Sequence, residues 1–339
     1  VVHKIDYKFF MRLTPLLYYL FIILTIATYF IGATTNGAAR WIALGPIQFQ
    51  PSEGLKIMTI LMLARRMDGF KVNIMPTSWH LRDKKQWGIL KENTRPLLGP
   101  VILSCAVIMP AHTSSAVLIF LTSVIMLYIG RVRIKELFKF IVVMGAVGII
   151  GLTLLSAIGI GRGDTAGGRF SVWLEEWRGE GTVESMYELS DTQRAMIAIH
   201  DGGLIGEGAG QSTARAVVIH PESDYAYSFF ISEYGLIIAL ILMFLYLWIF
   251  FRSIEIFRGC STVFPGLMTL GLGLLITCQA LLHILVQVNL IPETGQTLPL
   301  ISRGGSSLLF TTIALGMILS VSRKSSATKE KKSDDKDDE

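Results

Sequence analysis

Long apolar runs recur along this chain of 339 residues and constrain its fold more than any other feature. Runs of roughly 20 apolar residues cross a bilayer as helices, whereas a membrane barrel shows short alternating segments. The sequence therefore predicts an all-α polytopic membrane protein with about eight transmembrane segments, near residues 16–31, 54–64, 97–109, 115–130, 140–160, 229–251, 265–288 and 306–321. The run at 54–64 is near the lower limit for crossing, so a tilted or re-entrant segment is an alternative there.

Composition and charge support a membrane protein and argue against a nucleic-acid partner. Hydrophobic residues make up 51% of the chain and charged residues only 17%, unlike an ordinary soluble domain. The formal net charge of +5 is explained by loop lysines and arginines that set topology. Of the 31 lysines and arginines, 23 fall in five segments that share one side of the membrane: 1–14, 65–96, 131–139, 252–258 and 323–339. The positive-inside rule makes that side cytoplasmic.

Residues 1–322 are predicted to form a single transmembrane bundle, with one long hydrophilic segment at 161–228 on the extracytoplasmic side. This loop is expected to fold as a cap. Trp173 and Trp177 have helical spacing, and Ser190 with Gln193 has the form of a capping box. The tail at 323–339 is basic and then acidic, and such composition predicts disorder on the cytoplasmic side.

The first of three polar stretches on the extracytoplasmic side lies at 36–56. Its Gln-Pro-Ser-Glu sequence at 50–53 is typical of a helix start, with Pro at the first helical position and Glu in the first turn. Lys56 lies one turn deeper on an apolar helix. It could pair with Glu53 at i and i+3, or it could join Arg40 in offering positive charge to a phosphate.

Asp224 dominates the second stretch, at 220–234, where the polar loop enters an apolar span. Placing a carboxylate at such a boundary costs free energy unless the group is paired or has a function. One such function is that of a base acting on a lipid-linked substrate. The simpler interpretation is a helix start, with Ser223 or Asp224 as N-cap and the acidic charge near the positive end of the helix dipole. On its own the stretch favours the helix start.

The third stretch, at 289–307, combines prolines and glycines in a moderately apolar segment. Irregular backbone near membrane depth is tolerated only against protein or a water-filled cavity. A helix is predicted to open at Gly304, Gly305 and Ser306, so that free amides and Arg303 face one cavity. Helix N-termini of this kind bind anions.

Other common sites are not indicated. The six histidines show no ligand spacing, and no phosphate-binding loop, nucleophile elbow or dinucleotide fingerprint is present. The glycine-rich sequence at 206–210 is expected to be a turn. Cys105, Cys260 and Cys278 lie in or beside apolar runs and are expected to be small hydrophobes instead of disulfide or metal ligands.

Taken in order, these motifs resemble the SEDS family of bacterial cell-wall polymerases, whose members include FtsW, RodA and SpoVE. The resemblance spans nearly the whole chain and rests on Gly-Ala-Ala-Arg-Trp at 37–41, Gln-Pro-Ser-Glu-Gly-Leu-Lys at 50–56, Gly-Gly-Leu-Ile-Gly at 202–206, Ser-Asp at 223–224, Glu-Tyr-Gly at 233–235 and Leu-Pro-Leu-Ile-Ser-Arg-Gly-Gly-Ser-Ser at 298–307. Family members are ten-helix bundles, so Val1 is expected to follow the first two helices. The Asn-Gly-Ala at 36–38 and the Ser-Arg-Gly-Gly form are more similar to FtsW than to RodA.

The resemblance implies a peptidoglycan glycosyltransferase that polymerises lipid II, an undecaprenyl-pyrophosphoryl disaccharide-pentapeptide. The expected location is the outer face of the bacterial cytoplasmic (inner) membrane, during cell division or elongation. The expected partners are a class B penicillin-binding protein transpeptidase and other divisome proteins. A divalent cation, Mg²⁺ or Mn²⁺, would suit a pyrophosphate, although the sequence shows no ligand cluster for it.

The resemblance and the chemistry together assign candidate roles. The acceptor hydroxyl needs a general base, for which we predict Asp224, and the departing pyrophosphate needs positive charge. Candidates for binding the pyrophosphate are Arg40, Lys56 and Arg303, helped by the amides of Gly304 and Gly305. The residues predicted to shape the substrate cavity are Gln50, Ser52, Glu53, Ser302 and Ser306.

The chain departs from the family pattern at several positions. Met-Pro-Ala at 109–111 replaces a common Gln-Pro-Asp, Arg303 replaces a common tyrosine, and Ser232 with Glu233 replaces a pair of glutamates. Two other hypotheses are considered. A lipid II flippase would use the same polar cavity, whereas a non-catalytic scaffold of the divisome would need none. The one-sided polar constellation argues against a transporter, whose site is expected at the midplane.

Overall fold

The computed structural model describes residues 1–35, 38–44, 47–69, 95–130, 132, 134–158, 163–178, 189–212, 218 and 222–337. A 3-10 turn at Val2–Lys4 precedes the α-helices. Within the described ranges the helices are α1 Tyr7–Ile31, α2 Pro51–Gly69, α3 Arg95–Ile108, α4 Thr113–Ile129, α5 Ile134–Ile158, α6 Gly163–Arg178, α7 Asp191–Gly202, α8 Ala226–Gly259, α9 Val263–Gln287 and α10 Gly305–Asp337.

The helices confirm the predicted polytopic membrane fold. In the described part of the chain, α1, α8, α9 and the Gly305–Lys324 portion of α10 are long and apolar enough to cross a bilayer. Two shorter apolar helices, α3 and α4, accompany them. Every apolar run seen in the sequence falls on one of the helices, and α8 extends well beyond its predicted limits.

Helix α2 lies at the centre of the bundle. Each residue from 51 to 64 is buried, and the helix packs against α1, α3, α9 and α10. A helix buried all round needs no polar face. The short apolar run that suggested a tilted or re-entrant segment is thus explained by an interior helix whose ends carry Glu53 and Arg66.

A small antiparallel sheet, which the sequence reasoning did not predict, occupies part of the first polar stretch. Its strands are β1 Ala33–Thr35, β2 Ala38–Leu44 and β3 Ile47–Phe49, in the order β1-β2-β3. Thr35 pairs with Ala38, and Leu44 pairs with Ile47. The signal was available, because Asn-Gly between two short runs is the strongest short-range indication of a hairpin.

Helix α8 breaks at Gly235, where φ is 83° and ψ is 166°. The turn after α7 fills the break: Leu236 N donates to Gly203 O at 3.0 Å, and Glu233 O accepts from Gly208 N at 3.1 Å. A Cβ at Gly206 would lie 2.4 Å from Glu233 O, so this turn and α8 touch through their backbones. The predicted turn at 206–210 is confirmed, and it supplies hydrogen bonds that the broken helix lacks.

Two structural predictions for the cap are confirmed by α6 and α7. Trp173 and Trp177 both lie on α6, with ring centroids 5.9 Å apart. Their indole nitrogens donate to Asn289 O at 3.1 and 2.8 Å, which anchors α6 to the third polar stretch. Ser190 and Gln193 form the capping box that opens α7. The cap is therefore tied to the segment that follows α9.

The predicted disordered tail is helical as far as Asp337, because α10 continues beyond Arg323. Extending an existing helix avoids the cost of nucleation, and lysine, the commonest residue of the tail, favours helix. At its start, Lys324 Nζ lies 2.6 Å from Asp6 Oδ2, joining α10 to the residue that caps α1.

Candidate active site

Ser306 joins the first and third polar stretches. Its hydroxyl donates to Gln48 O at 3.0 Å and accepts from Gln50 N at 3.0 Å. Ser306 lies in the first turn of α10, while Gln50 immediately precedes α2. One buried side chain therefore fixes the starts of two helices against each other.

Ser302 and Arg303 join the third stretch to the second. Ser302 Oγ donates to Ser223 O at 2.8 Å and accepts from Leu298 N at 2.8 Å. Arg303 N donates to Glu222 O at 2.7 Å, and its guanidinium lies 2.6 Å from Glu222 Oε2. The three stretches that the sequence singled out thus meet at the third stretch.

Asp224 lies in the turn that leads into α8, and its side chain is exposed. Its main-chain carbonyl accepts from Gln287 Nε2 at 2.9 Å. The predicted N-cap at Ser223 or Asp224 is wrong, because the N-cap of α8 is Tyr225 and makes no side-chain capping hydrogen bond. The exposed carboxylate therefore belongs to the residue before the N-cap of α8 and not to the N-cap itself.

Lys56 is buried, and its charge is compensated within the bundle. Its Nζ lies 2.8 Å from Glu53 Oε1 and donates to Gln279 Oε1 at 2.9 Å. The exposed fractions of the two charged side chains are only 2% and 10%. Of the two predicted roles, the structure shows the i, i+3 pair, and the assignment of Lys56 to a pyrophosphate stays a prediction.

The charge pair lines a small pocket enclosed by α2, α9 and α10. Apolar side chains supply most of the wall, including Leu275, Phe310 and Ala314. Gln279 spans from this pocket to the third stretch, because its Nε2 donates to Thr297 O at 3.0 Å. The pair is consequently part of the frame that supports the irregular segment at 289–304.

Arg303 is an exposed cation beside the Asp224 turn. The hydrogen bond to Glu222 and the negative charge of that carboxylate raise the pKa of the guanidinium, which stays charged. An anionic substrate would have to displace Glu222 to bind the guanidinium N–H groups that this carboxylate contacts. Exposed ion pairs of this kind are weak, so the exchange costs little free energy.

The glycines after Arg303 open α10 as predicted, since the helix begins at Gly305. The prediction of two free amides is wrong for Gly304, whose N–H donates to Ser302 O at 2.9 Å. Gly305 is exposed at the first position of the helix. The positive end of the α10 dipole therefore lies beside Arg303.

The remaining predicted site residues lie at the start of α2 and in the sheet. Ser52 and Gln50 are buried at the start of α2, where Pro51 and Glu53 occupy the helix-start positions that the sequence predicted. Arg40 is in β2, and its side chain lies outside the described residues.

The sequence of this chain matches those of known proteins. The sequence model of the FtsW/RodA/SpoVE family, described as cell cycle protein, matches residues 1–327. The chain belongs to the FtsW/RodA/SpoVE family. Stage V sporulation protein E of Bacillus subtilis strain 168 is 30% identical over 298 residues, covering 87% of this chain and 74% of that protein. A probable peptidoglycan glycosyltransferase FtsW of Coxiella burnetii is 32% identical over 308 residues, covering 89% and 76%.

Solved structures share the FtsW/RodA/SpoVE fold. A chain from a structure on the coordination of polymerization and crosslinking by a peptidoglycan synthase complex aligns with a TM-score of 0.65 and 21% identity, covering 96% of this chain and 84% of that one. The rod shape determining protein RodA of Thermus thermophilus aligns with a TM-score of 0.57 and 21% identity, covering 95% and 81%. With four long apolar helices among its described residues, this family member is a multi-pass membrane protein.

Sequence reasoning on this FtsW/RodA/SpoVE member missed a polar stripe on α9. Gln279, His283 and Gln287 are four residues apart, so they share one helix face. His283 Nδ1 donates to Gln296 O at 2.7 Å, and all three side chains are buried. The signal was three polar residues at i, i+4 and i+8 in an apolar span, which a search for metal-ligand spacing overlooks.

Glu293 was also missed, although it ties the cap to the Asp224 turn. Its carboxylate accepts hydrogen bonds from the Tyr225 hydroxyl and from Thr192 Oγ1, and it lies 3.9 Å from Arg169 Nε. Burial, followed by the charge of Glu293, raises the pKa of the Tyr225 phenol, which stays protonated. The residue next to Asp224 is therefore anchored to both cap helices.

Residues at or directly after the departures from the FtsW/RodA/SpoVE pattern have local roles. His112 caps α4, because its Nδ1 accepts from Ser115 N at 3.2 Å, and Gln296 Nε2 donates to the same nitrogen at 3.0 Å. Ser232 bonds Ser212 at 2.6 Å, and Glu233 Oε1 accepts from Gly210 N at 2.9 Å. Among the described residues, no group of three or more histidine, cysteine or acidic side chains is placed to hold a metal ion.

Proposed function

We propose that this protein is a peptidoglycan glycosyltransferase that polymerises lipid II into glycan strands. The family supports the reaction class, because relatives carry the name probable peptidoglycan glycosyltransferase FtsW. The observation that carries the proposal is the position of Asp224, an exposed carboxylate at the start of a membrane span. Its turn is hydrogen-bonded to Ser302, just before α10, and Ser306 at the start of α10 is hydrogen-bonded to the residues before α2.

In this proposal Asp224 is the general base. Its carboxylate accepts the proton from the hydroxyl of the acceptor sugar as that oxygen forms a bond to the anomeric carbon of the donor. The bond between that carbon and the pyrophosphate oxygen breaks, and the lipid pyrophosphate leaves with the electron pair. General bases of this kind contribute about 10²–10⁴-fold to a rate.

Arg303 is proposed to stabilise the departing pyrophosphate. Its guanidinium is exposed, and Arg303 lies two residues before the first residue of α10. The arginine charge and the positive end of the helix dipole therefore act on the same region. Arginine suits the task because its planar fork binds phosphate oxygens in pairs. Lys56 is paired with Glu53 in the interior of the bundle.

Location and partners follow from the same proposal. A lipid II polymerase of this family would work at the bacterial cytoplasmic membrane, with Asp224 on the outer face, as the charge distribution predicts. Helix α8 presents an exposed apolar side formed by Ile237, Ile241, Phe244, Trp248 and Phe251. We propose this face as the contact for a class B penicillin-binding protein, with an FtsW-like role in division.

The test is polymerisation of labelled lipid II by the purified full-length protein with its transpeptidase partner. Asp224→Asn keeps the size of the side chain and removes the base, so glycan product should fall by at least a hundredfold. Asp201→Asn is the matched control, because Asp201 is an exposed aspartate at the end of α7, 23 residues before Asp224 in the chain.

Undiminished product from Asp224→Asn would refute the base assignment. Absence of product from the wild type, together with lipid II translocation in vesicles, would favour a flippase. Absence of both activities, with Asp224→Asn still recruiting the divisome, would favour a scaffold.

A further inference from the structure

Three consecutive main-chain carbonyls fix the turn that holds Asp224. They belong to residues 222, 223 and 224, and each accepts a hydrogen bond from a different residue in the region 287–303. The donors, in order, are Arg303 N at 2.7 Å, Ser302 Oγ at 2.8 Å and Gln287 Nε2 at 2.9 Å. The carbonyl of Tyr225 then accepts from Phe229 N as α8 begins. The backbone of the turn is therefore held at every residue.

Gln287 differs from the other two donors because its amide is held at both ends. While Nε2 binds Asp224 O, Oε1 accepts from Ser228 Oγ in the first turn of α8. The side chain is fully buried at the last position of α9. A carboxamide with both polar atoms engaged has one orientation, and losing one partner leaves a buried polar atom unsatisfied.

The hydrogen-bonded carbonyls constrain where the carboxylate points. The peptide planes on both sides of Asp224 are held through Ser223 O and Asp224 O, which restrains its φ and ψ angles and with them the direction of the Cα–Cβ bond. The carboxylate itself remains exposed and can meet a substrate. Gln287 is buried beneath the turn and acts on it only through the main chain.

We infer that Gln287 is a positioning residue that sets the direction of the Asp224 carboxylate by holding its main-chain carbonyl. The inference rests on the proposed function, in which Asp224 is the base. Misplacing a catalytic group by about 1 Å can cost about 10²-fold in rate. A residue that only stabilises the fold would change the amount of folded protein and leave its turnover unchanged.

The decisive variant is Gln287→Met, which keeps the length of the side chain and removes both polar atoms. We expect kcat for lipid II polymerisation by the full-length protein with its partner to fall by about tenfold or more, with KM within about twofold. Thr277→Val is the matched control: it removes one buried hydrogen bond from the same helix, Thr277 Oγ1 to Tyr246 O at 2.9 Å, ten residues from Gln287. Its kcat should stay at the wild-type value.

Gln287→Glu provides a second variant should Gln287→Met fail to fold. It keeps an acceptor for Ser228 and places an oxygen against Asp224 O, so the turn should shift and kcat should again fall. Wild-type kcat in either folded variant, or an equal loss in Thr277→Val, would overturn the inference. A rise in KM alone would do so as well, since it would assign Gln287 to substrate binding.

Combining Gln287→Met with Asp224→Asn separates this inference from the proposed function. If Gln287 acts through the carboxylate, it should change the residual turnover of Asp224→Asn by less than about twofold. Equal losses in both backgrounds would overturn the positioning role. If Asp224→Asn polymerises normally, the proposed function itself fails, whatever Gln287→Met does. Where residual turnover is too slow to measure, the split between kcat and KM decides.

Discussion

Removing one partner of the buried pair between Glu53 and Lys56 should destabilise the protein more than removing both. Lys56 lies in the interior of the bundle, 2.8 Å from Glu53 and 2.9 Å from Gln279. Glu53→Gln leaves an ammonium buried without its countercharge, and Lys56→Met leaves a carboxylate in the same situation. The double substitution leaves no buried charge and keeps two side chains of similar volume.

The magnitude follows from the distance and the burial. At an effective dielectric constant of about 20, unit charges 2.8 Å apart attract by roughly 6 kcal/mol. Removing each ion from water costs several kcal/mol, so the intact pair contributes little net stability. Either single substitution should cost about 3–5 kcal/mol, whereas the double substitution should lie within about 1–2 kcal/mol of the wild type.

Thermal unfolding of the purified protein at one scan rate measures this cycle. At about 2 °C for each kcal/mol, each single variant should unfold roughly 6–10 °C below the wild type. The double variant should recover most of that loss. Additive losses, with the double variant worse than either single one, would refute the argument that the two charges compensate each other. A small effect in both single variants would show that water reaches the pair.

Three further substitutions test the buried hydrogen-bonded frame and the exposed residues near Asp224. Gly235→Ala should lower the free energy of unfolding by at least about 2 kcal/mol, because φ is 83° and the new Cβ would lie 2.4 Å from Leu204 O. Gly145→Ala is the control and should not lower Tm, because its new Cβ would meet no atom of another residue within 4 Å. Tyr225→Phe should flatten the alkaline loss of Tm: since the folded-state pKa of this phenol is raised above 10.0, its contribution is complete below about pH 10 and is lost as the pH rises further. Arg303→Met should reduce polymerisation while leaving Tm unchanged, because its ion pair is exposed; a drop in Tm would assign Arg303 to the frame.

The sequence was sufficient for the helices because hydrophobic runs of spanning length have few alternative structures. The start of α2 at Pro51, the capping box at Ser190 and the start of α10 at Gly305 were also predictable, since each depends on local hydrogen bonding. The hairpin strands were missed because their alternation is short, although Asn-Gly between them marked the turn.

The site was predictable as three stretches but not as a set of contacts. Which charge Lys56 meets depends on how deeply α2 is buried, and burial is a tertiary property. The helix start at residue 226 was predicted with the wrong cap, because the turn before it is held by donors from 287–303 that no local pattern reveals. Long-range hydrogen bonds to main-chain atoms leave no periodic signal in a sequence.

The contacts divide the predicted site residues into a buried frame and two exposed charged side chains. Ser302 and Ser306 bind main-chain atoms of the other two stretches, and Glu53 with Lys56 satisfies its own charge inside the bundle. Asp224 and Arg303 present exposed side chains. A reaction whose leaving group is already a pyrophosphate needs little beyond an oriented base and positive charge. In the proposed function, a frame of buried hydrogen bonds around two exposed charged groups would provide both, so the polar residues of the site can greatly outnumber those that react.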